Sequence, residues 1–526
     1  MDDQSALDRL ARLCGIASDY RDVWGQAHTV SLETKRALLE AMGVAIAAPE
    51  ELRASLAERE TGPWRGPLPP VWVHRTEQGP LQIPVTLPVE PEQGTWHWRL
   101  EGEDGTEHQG EFHPGASQVI EAREVSGRDY RCYAFAPDVV LQPGYHCLHL
   151  RRADDPISVE MPLIIAPAAC YQPPALADGS RLWGPMVQLY AVRSYRNAGI
   201  GDFTDLRNLV ELSHAAGADL IGINPLHSLF PHNPAHASPY SPSSRLFHNV
   251  LYLDVEAIPE LAECAAAREL IAAPEYQARI AALQDAQLVD YPAVWSVKRE
   301  VLDRLYADFR QRHLLTGSER GQAFRAFQAA GGEALKRFAR HEALQEHFQQ
   351  QDPAIWGWPV WPQAYRDPRA AAVDELAQHQ RERVELFQYL QWQADAQLAA
   401  AARCANELGL GVGLYQDLAV SIDRSGADSW SEQDLYAARV SIGAPPDDFN
   451  LKGQNWGLPP MVPERLRERA YAPFIAMLRE NMRHAGALRI DHVMALMRLF
   501  WVPPGAPPAE GAYVHYPVDD LLGILA

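Results

Sequence analysis

The chain contains no CxxC pair; its six cysteines, Cys14, Cys132, Cys147, Cys170, Cys264 and Cys404, are scattered singly. That spacing argues against zinc clusters and against a disulfide framework, and reduced thiols in a cytoplasmic protein are expected. Basic residues are also scarce, 47 Lys and Arg against 68 Asp and Glu, for a formal net charge of −21. This balance disfavours general nucleic-acid binding and docking on anionic lipid, and it leaves neutral substrates open. No apolar stretch approaches the ~20 residues that span a bilayer. The opening MDDQSALDRLARL lacks the basic region, apolar core and cleavage site of a secretory signal. Internal repeats and low-complexity tracts are missing as well.

What is present is an ordinary globular composition, 47% hydrophobic and 22% charged, in 526 residues. That length exceeds one hydrophobic core, so two to four domains are expected. Residues 1–65 read as a small helical unit. Leu7, Leu10 and Leu13, then Leu38, Leu39 and Met42, recur at helical spacing, with Ser31 as an N-cap and Gly43 as a stop. The Pro/Gly-rich TGPWRGPLPP (61–70) ends that pattern. Residues 66–168 carry short strand-like runs separated by turn signals, which predicts a β-sandwich. Trp96 and Trp98 share one face of TWHWRL, and packing is expected of them before sugar binding.

From 169 to 526 strands and helices alternate, which predicts an α/β architecture of parallel βα units, a doubly wound sheet or a barrel. The strand candidates are GPMVQLYAV (184–192), ADLIGINPL (218–226), LGVGLYQDLAV (410–420) and ALRID (487–491). Residues 260–405 read as a large helical insertion. A single helix is predicted over PERLRERAYAPFIAMLRENMRHAG, with Leu466, Ala470, Phe474, Met477 and Leu478 on its apolar face.

The chemistry is suggested by strand ends. Side chains alternate along a strand, so Arg489 and Asp491 share a face while Leu488 and Ile490 share the other. In a parallel barrel an inward charge is tolerable near the C-terminal mouth, where catalysis sits. There the arginine would hold the aspartate ionised, as suits a nucleophile or an electrostatic stabiliser. The alternative is a structural ion pair. Asp417 also follows an apolar run, and Asp423, Asp428 and Trp430 come next in SIDRSGADSW, a polyol site or a solvated acidic loop. His227, His232 and His236 lie in NPLHSLFPHNPAHASPYSPSSR without helical i,i+4 spacing. A loop presenting Tyr240 and Ser241 fits better there than a metal site, and no metal is expected.

Several segments together carry a resemblance: GIGDFTDL, SPYSPSSR, NVLYLDVEAIPE, DLAVSIDRSGADSW, GAPPDDFNLKGQNWGLPP and RIDHVMALMRLFWVP. In this order they resemble 4-α-glucanotransferases of the amylomaltase (MalQ) family in the α-amylase-like clan. The match runs from about residue 180 onward, and the two N-terminal regions resemble the extension of the bacterial MalQ branch. The resemblance implies a (β/α)8 TIM barrel with helical insertions. It implies disproportionation of α-1,4-glucans and maltooligosaccharides without a cofactor, by a retaining double displacement. Asp491 matches the nucleophile and Arg489 the arginine that orients it. Tyr240, Ser241, Asp417, Asp428, Trp430, Asn455, Trp456 and His492 are the candidate sugar-site residues. The GAPPDDFNLKGQNWG loop and the helical insertion are candidates for a cover that keeps water out.

One departure stands against that match. The family's acid/base glutamate lies on a later strand, and its motif is not found before the final VDDLLGILA; Glu510 does not match it. Four barrel strands are counted where eight close a barrel. The expectation is therefore the N-terminal half of a barrel, impaired in transfer and prone to aggregate through open strand edges. The readings that compete are an α-glucan hydrolase of the same clan and a non-catalytic glucan-binding protein.

Overall fold

A computed structural model describes residues 2–89, 94–153, 158–177 and 179–526. The chain folds as two compact units. One comprises Met1–Tyr171, Asp434–Ile475 and Val493–Ala526; the other comprises Gln172–Gln433 and Ala476–His492. One continuous domain was expected over 169–526; by their contacts residues 434–475 and 493–526 group with the first unit. Two late segments return to the first unit because backbone ladders hold them there. Ser441–Ala444 pairs antiparallel with Gln454–Asn455 on one side and with Arg498–Val502 on the other, and Arg498–Val502 pairs with Ala512–His515. Ile16 bridges to Val514, and the ring of Tyr20 packs edge-on against Phe500 and Tyr513. GAPPDDFNLKGQNWG, expected as a cover, thus supplies two strands of this sheet.

The first unit begins with the helices Asp3–Leu13, Leu32–Ala41 and Pro49–Thr61. Asp2 and Ser31 accept hydrogen bonds from Ser5 and Thr34 at the starts of the first two, the role that short oxygen-bearing side chains play at N-caps. Gly43, at φ +79°, ends the second. A β-sandwich follows. A five-stranded sheet of Trp72–Arg75, Ser158–Ala166, Gly144–Arg152, Trp96–Glu101 and Glu107–Phe112 faces a three-stranded one of Ile83–Pro88, Arg128–Phe135 and Val119–Val125. Alternate residues such as Val85, Leu100, Leu148, Leu150 and Met161 fill the space between them. Trp98 lies in that core and Trp96 packs against it. The helix Val518–Leu525 closes on the sandwich at Gly523, where a Cβ would come 3.2 Å from both Ala166 and Val73.

The second unit is built on a parallel sheet in the order Met186–Val187, Leu220–Ile223, Gly413–Leu418, Ala487–Ile490. Sequential parallel neighbours with helices between them are the βα repeat of a barrel. The first strand is shorter than predicted because the amide oxygen of Asn224 captures the Leu189 N–H at 2.8 Å and turns the chain into a 3-10 segment, Leu189–Ala191. GIGDFTDL is a helix start. Asp202 and Asp205 form a capping box for Phe203–Ala215, and both pair with Arg196, which also reaches Asp254 at 2.8 Å. The insertion between the second and third strands is helical, including Tyr291–Phe309, Glu319–Gln351 (kinked at Gly332, φ +51°) and Arg381–Glu407.

The helix predicted over 463–486 is broken. Pro463–Glu468 and Ala472–Met482 are separated by Ala470 and Tyr471, both at positive φ. The break drives the Tyr471 ring fully inside, where its hydroxyl donates to the Asp520 carboxylate. Ala470 therefore lies at the break and not on a helix face. Among the described residues no helix is long and apolar enough to cross a membrane, and all six cysteines are free thiols.

Candidate active site

Asp417 and Arg489 are direct partners in the register of the third and fourth parallel strands. Asp491 follows one residue after the fourth strand ends. Side-chain alternation aims all three to one face at the C-terminal end of the sheet. The Arg489 guanidinium is shared: Nη1 donates to Asp417 Oδ2 at 2.7 Å, and Nη2 meets Asp491 Oδ2 at 3.0 Å. The rigid fork of arginine suits this division, since one planar cation can fix two carboxylates in a set geometry.

The two aspartates differ in exposure. The Asp417 side chain is 4% exposed and that of Asp491 41%. Burial raises the Asp417 carboxyl above its ordinary range, with Arg489 opposing the rise and Asp491 adding to it. Its Oδ2 is taken by Arg489, and its Oδ1 is buried without a hydrogen-bond partner. Asp417 was expected to line a sugar site; it is buried and bonded to Arg489. Asp491 is open. Its Oδ1 accepts the N–H of His492, which reaches it because His492 takes φ +50° and turns the chain at once after the strand. His492 thus meets the carboxylate through its backbone, while its side chain is exposed.

Tyr240 completes this end of the sheet. It is 44% exposed, and its phenol is raised by burial, by Asp417, by Tyr190 and by Asp491, with Arg489 opposing. The phenol therefore stays protonated as a hydrogen-bond donor. Its loop is stitched to the segment after the third strand. Pro242 O accepts from Asp423 N at 2.7 Å, Ser243 O from Asp428 N at 3.1 Å, and Ser243 Oγ from Ala427 N at 2.9 Å. Ser241 Oγ donates to Asp423 Oδ2 at 3.1 Å. Burial pushes the Asp423 carboxyl up, but the bonds from His236 and the Ser425 N–H bring it below the usual range. Arg245, almost fully buried, donates to Ala419 O and Val420 O at 3.1 and 3.0 Å.

Two sequence expectations fail on burial. Trp430 is fully buried against Leu344, Phe348, Trp361 and Val373, with its Nε1 donating to Tyr365 O at 3.1 Å; no sugar face can stack on it. Asp428 Oδ2 accepts the Arg245 N–H at 2.9 Å, and burial raises its carboxyl, so it braces a loop. The three histidines also diverge. His227 Nε2 accepts from Ala419 N at 3.1 Å, His232 faces Glu342 at 3.3 Å, and His236 faces Asp423 at 3.3 Å. Asn455 and Trp456 belong to the first unit, where Asn455 Oδ1 accepts from Gly457 N and Trp456 Nε1 donates to Gln454 Oε1. Arg245 and Asn481, whose amide donates to Arg245 O at 2.9 Å, brace the site and were not singled out from the sequence; His227, weighed there only as a metal ligand, braces it too. For Asn481 the available signal was a polar residue at helical spacing from Phe474, Met477 and Leu478.

Comparison with known proteins agrees along the chain. Residues 187–526 match the family model described as 4-alpha-glucanotransferase, and residues 67–167 match the MalQ N-terminal beta sandwich domain. The chain is similar to a 4-alpha-glucanotransferase of Haemophilus influenzae, 43% identical over 69% of this chain and 52% of the relative. It is 37% identical to one of Mycobacterium tuberculosis over 99% of this chain and 70% of the relative. The crystal structure of amylomaltase from Corynebacterium glutamicum superposes with a TM-score of 0.81 at 31% identity, covering 99% of this chain and 70% of that one. The chain thus spans between about half and 70% of the length of these relatives.

Proposed function

The chain belongs to the 4-alpha-glucanotransferase family, and on that footing we propose that its parallel sheet carries the nucleophilic half of a retaining α-1,4-glucan transfer. The observation that carries the reading is the Arg489 guanidinium held between a buried Asp417 and an accessible Asp491. Asp491 attacks the anomeric carbon of a maltooligosaccharide or longer α-1,4-glucan. The glycosidic C–O bond breaks, and a glycosyl ester forms on the carboxylate. The 4-hydroxyl of an acceptor sugar then attacks the same carbon, the ester C–O bond breaks to restore the Asp491 carboxylate, and the hydroxyl proton passes to solvent. Arg489 keeps the nucleophile ionised and aimed, Asp417 keeps Arg489 in place, and the Tyr240 phenol donates to a sugar oxygen. The substrate is an uncharged carbohydrate, and neither a nucleic acid nor a membrane takes part. The free thiols suit the cytoplasm, where thiols stay reduced.

The leaving oxygen needs a proton, and general acid help is typically worth ~10²–10⁴-fold. The charged groups that act most strongly on Arg489, among the described residues, are Asp417 and Asp491. An α-maltosyl fluoride, whose leaving group departs without a proton, tests Asp491 by itself. Incubation of that donor with maltotriose should yield longer maltooligosaccharides, and Asp491→Asn should abolish them. Only shorter products would assign a hydrolase. Calorimetric binding with no product, unchanged in Asp491→Asn, would assign a glucan-binding protein and end the proposal.

A further inference from the structure

The outer face of the five-stranded sandwich sheet gathers a cluster that glucan transfer does not use. On the strand Gly144–Arg152, Leu148 and Leu150 are fully buried in the core, so Cys147 and His149 share the opposite face. Glu160, on the adjacent strand, is the direct partner of His149 and alternates with the buried Met161. Ligand atoms of Cys147, His149 and Glu160 all lie within 4.8 Å of one another. His149 Nδ1 stands 3.9 Å from Glu160 Oε2, and its Nε2 stands 3.5 Å from Glu101 Oε2, on the strand paired to the other side. That Nε2 is shielded from solvent and has no hydrogen-bond partner.

We propose that Cys147, His149 and Glu160 bind one divalent transition-metal ion of the zinc type. Thiolate, imidazole and carboxylate form the mixed set that such an ion prefers over the all-oxygen set of calcium or magnesium. Tetrahedral zinc, with bonds of about 2.0–2.3 Å, sets its ligand atoms roughly 3.3–3.7 Å apart. The cluster closes to that spacing by side-chain rotation of about 1 Å, because the strand ladders already hold the three Cα atoms. Arg99, opposite His149, is paired with Glu101 and Glu107, so its charge is offset and Glu101 is partly engaged. Water fills the fourth position, or Glu101 when Arg99 releases it. Burial, then Glu160 and Glu101, push the Cys147 thiol up, so the metal-free thiol is protonated. On binding, the S–H bond breaks, the S–metal bond forms, and the proton goes to solvent. Affinity therefore rises with pH. The ion would clip two neighbouring strands of the sandwich, and binding only the folded state would stabilise it.

Co²⁺, the spectroscopic stand-in for zinc, tests this on the 526-residue chain. One equivalent should produce a near-ultraviolet sulfur-to-cobalt charge-transfer band, displaced by Zn²⁺. Cys147→Ser should remove the band, while Cys170→Ser, at the exposed cysteine, should keep it. His149→Ala and Glu160→Gln should each weaken Zn²⁺ binding at least tenfold in competition with a chelating dye, with circular dichroism confirming that each variant is folded. No band, a band that survives Cys147→Ser, or unchanged affinity in both His149→Ala and Glu160→Gln would overturn the assignment.

Discussion

Two arginines, one in each unit, are arranged almost alike. Arg99 in the sandwich pairs with Glu101 two residues on and with Glu107 across the ladder. Arg489 in the parallel sheet pairs with Asp491 two residues on and with Asp417 across the ladder. In sequence spacing the trios match, although Asp417 stands directly opposite Arg489 while Glu107 is a diagonal neighbour of Arg99; in their surroundings they do not. Glu101 and Glu107 are 40% and 63% exposed, whereas Asp417 is 4% exposed. The sandwich trio is a solvated face, where charge pairs are worth little. The other trio has one carboxylate taken out of water, and only the guanidinium offsets that cost. One accessible carboxylate is thereby held in a fixed direction. Alternating charge on a strand means a surface in one place and a candidate site in the other, and burial of a single residue makes the difference.

The comparison can be sharpened first at Trp430. If the region behind the third strand is core, Trp430→Ala should cost about 3–5 kcal/mol in urea unfolding. Stability left unchanged with weaker maltooligosaccharide binding would return Trp430 to the sugar site. Next, Arg489→Ala strands the Asp417 charge. It should cost about 2–4 kcal/mol, below the fully buried case because the Arg489 side chain is 36% exposed. Adding Asp417→Asn should recover part of that loss, and a cost no larger than that of Arg99→Ala would break the contrast.

Acid provides a third handle. Burial, Arg245 and His248 pull His227 from 6.5 down to about 3. The folded state thus binds this proton less readily than the unfolded chain. The stability from neutral His227 is complete above about pH 6.5 and is lost as pH falls toward 3. In His227→Gln the amide oxygen can still accept from Ala419 N, but nothing titrates. Its unfolding free energy should lose on the order of 2 kcal/mol less than the parent between pH 6.5 and about pH 4.5. Parallel pH profiles would show that His227 is not the titrating group. Smallest of all, Arg99→Ala should change stability by no more than about 0.5 kcal/mol.

Much of the local structure was readable from the chain. The Ser31 cap, the Gly43 stop and the inward alternation of the sandwich strands follow from nearest-neighbour geometry, and the structure has them where the spacing put them. The fourth strand ends beside Asp491, and Arg489 is its partner, as alternation implied. The second bond of Arg489, to Asp417, was not readable, because it depends on the register between strands 72 residues apart. The break at Ala470 and Tyr471 was hidden for a similar reason. Apolar spacing across 463–482 fits one helix, and only the pocket that receives the Tyr471 ring favours two. Trp430 and Asp428 looked like sugar ligands because aromatic and acidic residues in a loop look the same whether the loop is covered or open.

By itself, then, the sequence determined most element types, the inward alternation of the sandwich strands, the family and the strand end on which Asp491 sits. The tertiary structure decided which charges lie out of water, which carboxylates share Arg489, and that residues 434–475 and 493–526 pack with the first unit. The reason is range. Backbone sterics and side-chain periodicity act over a few residues and leave their mark in the order of the chain. Burial and strand register are set by segments far apart in that order, and they exist only once those segments have met.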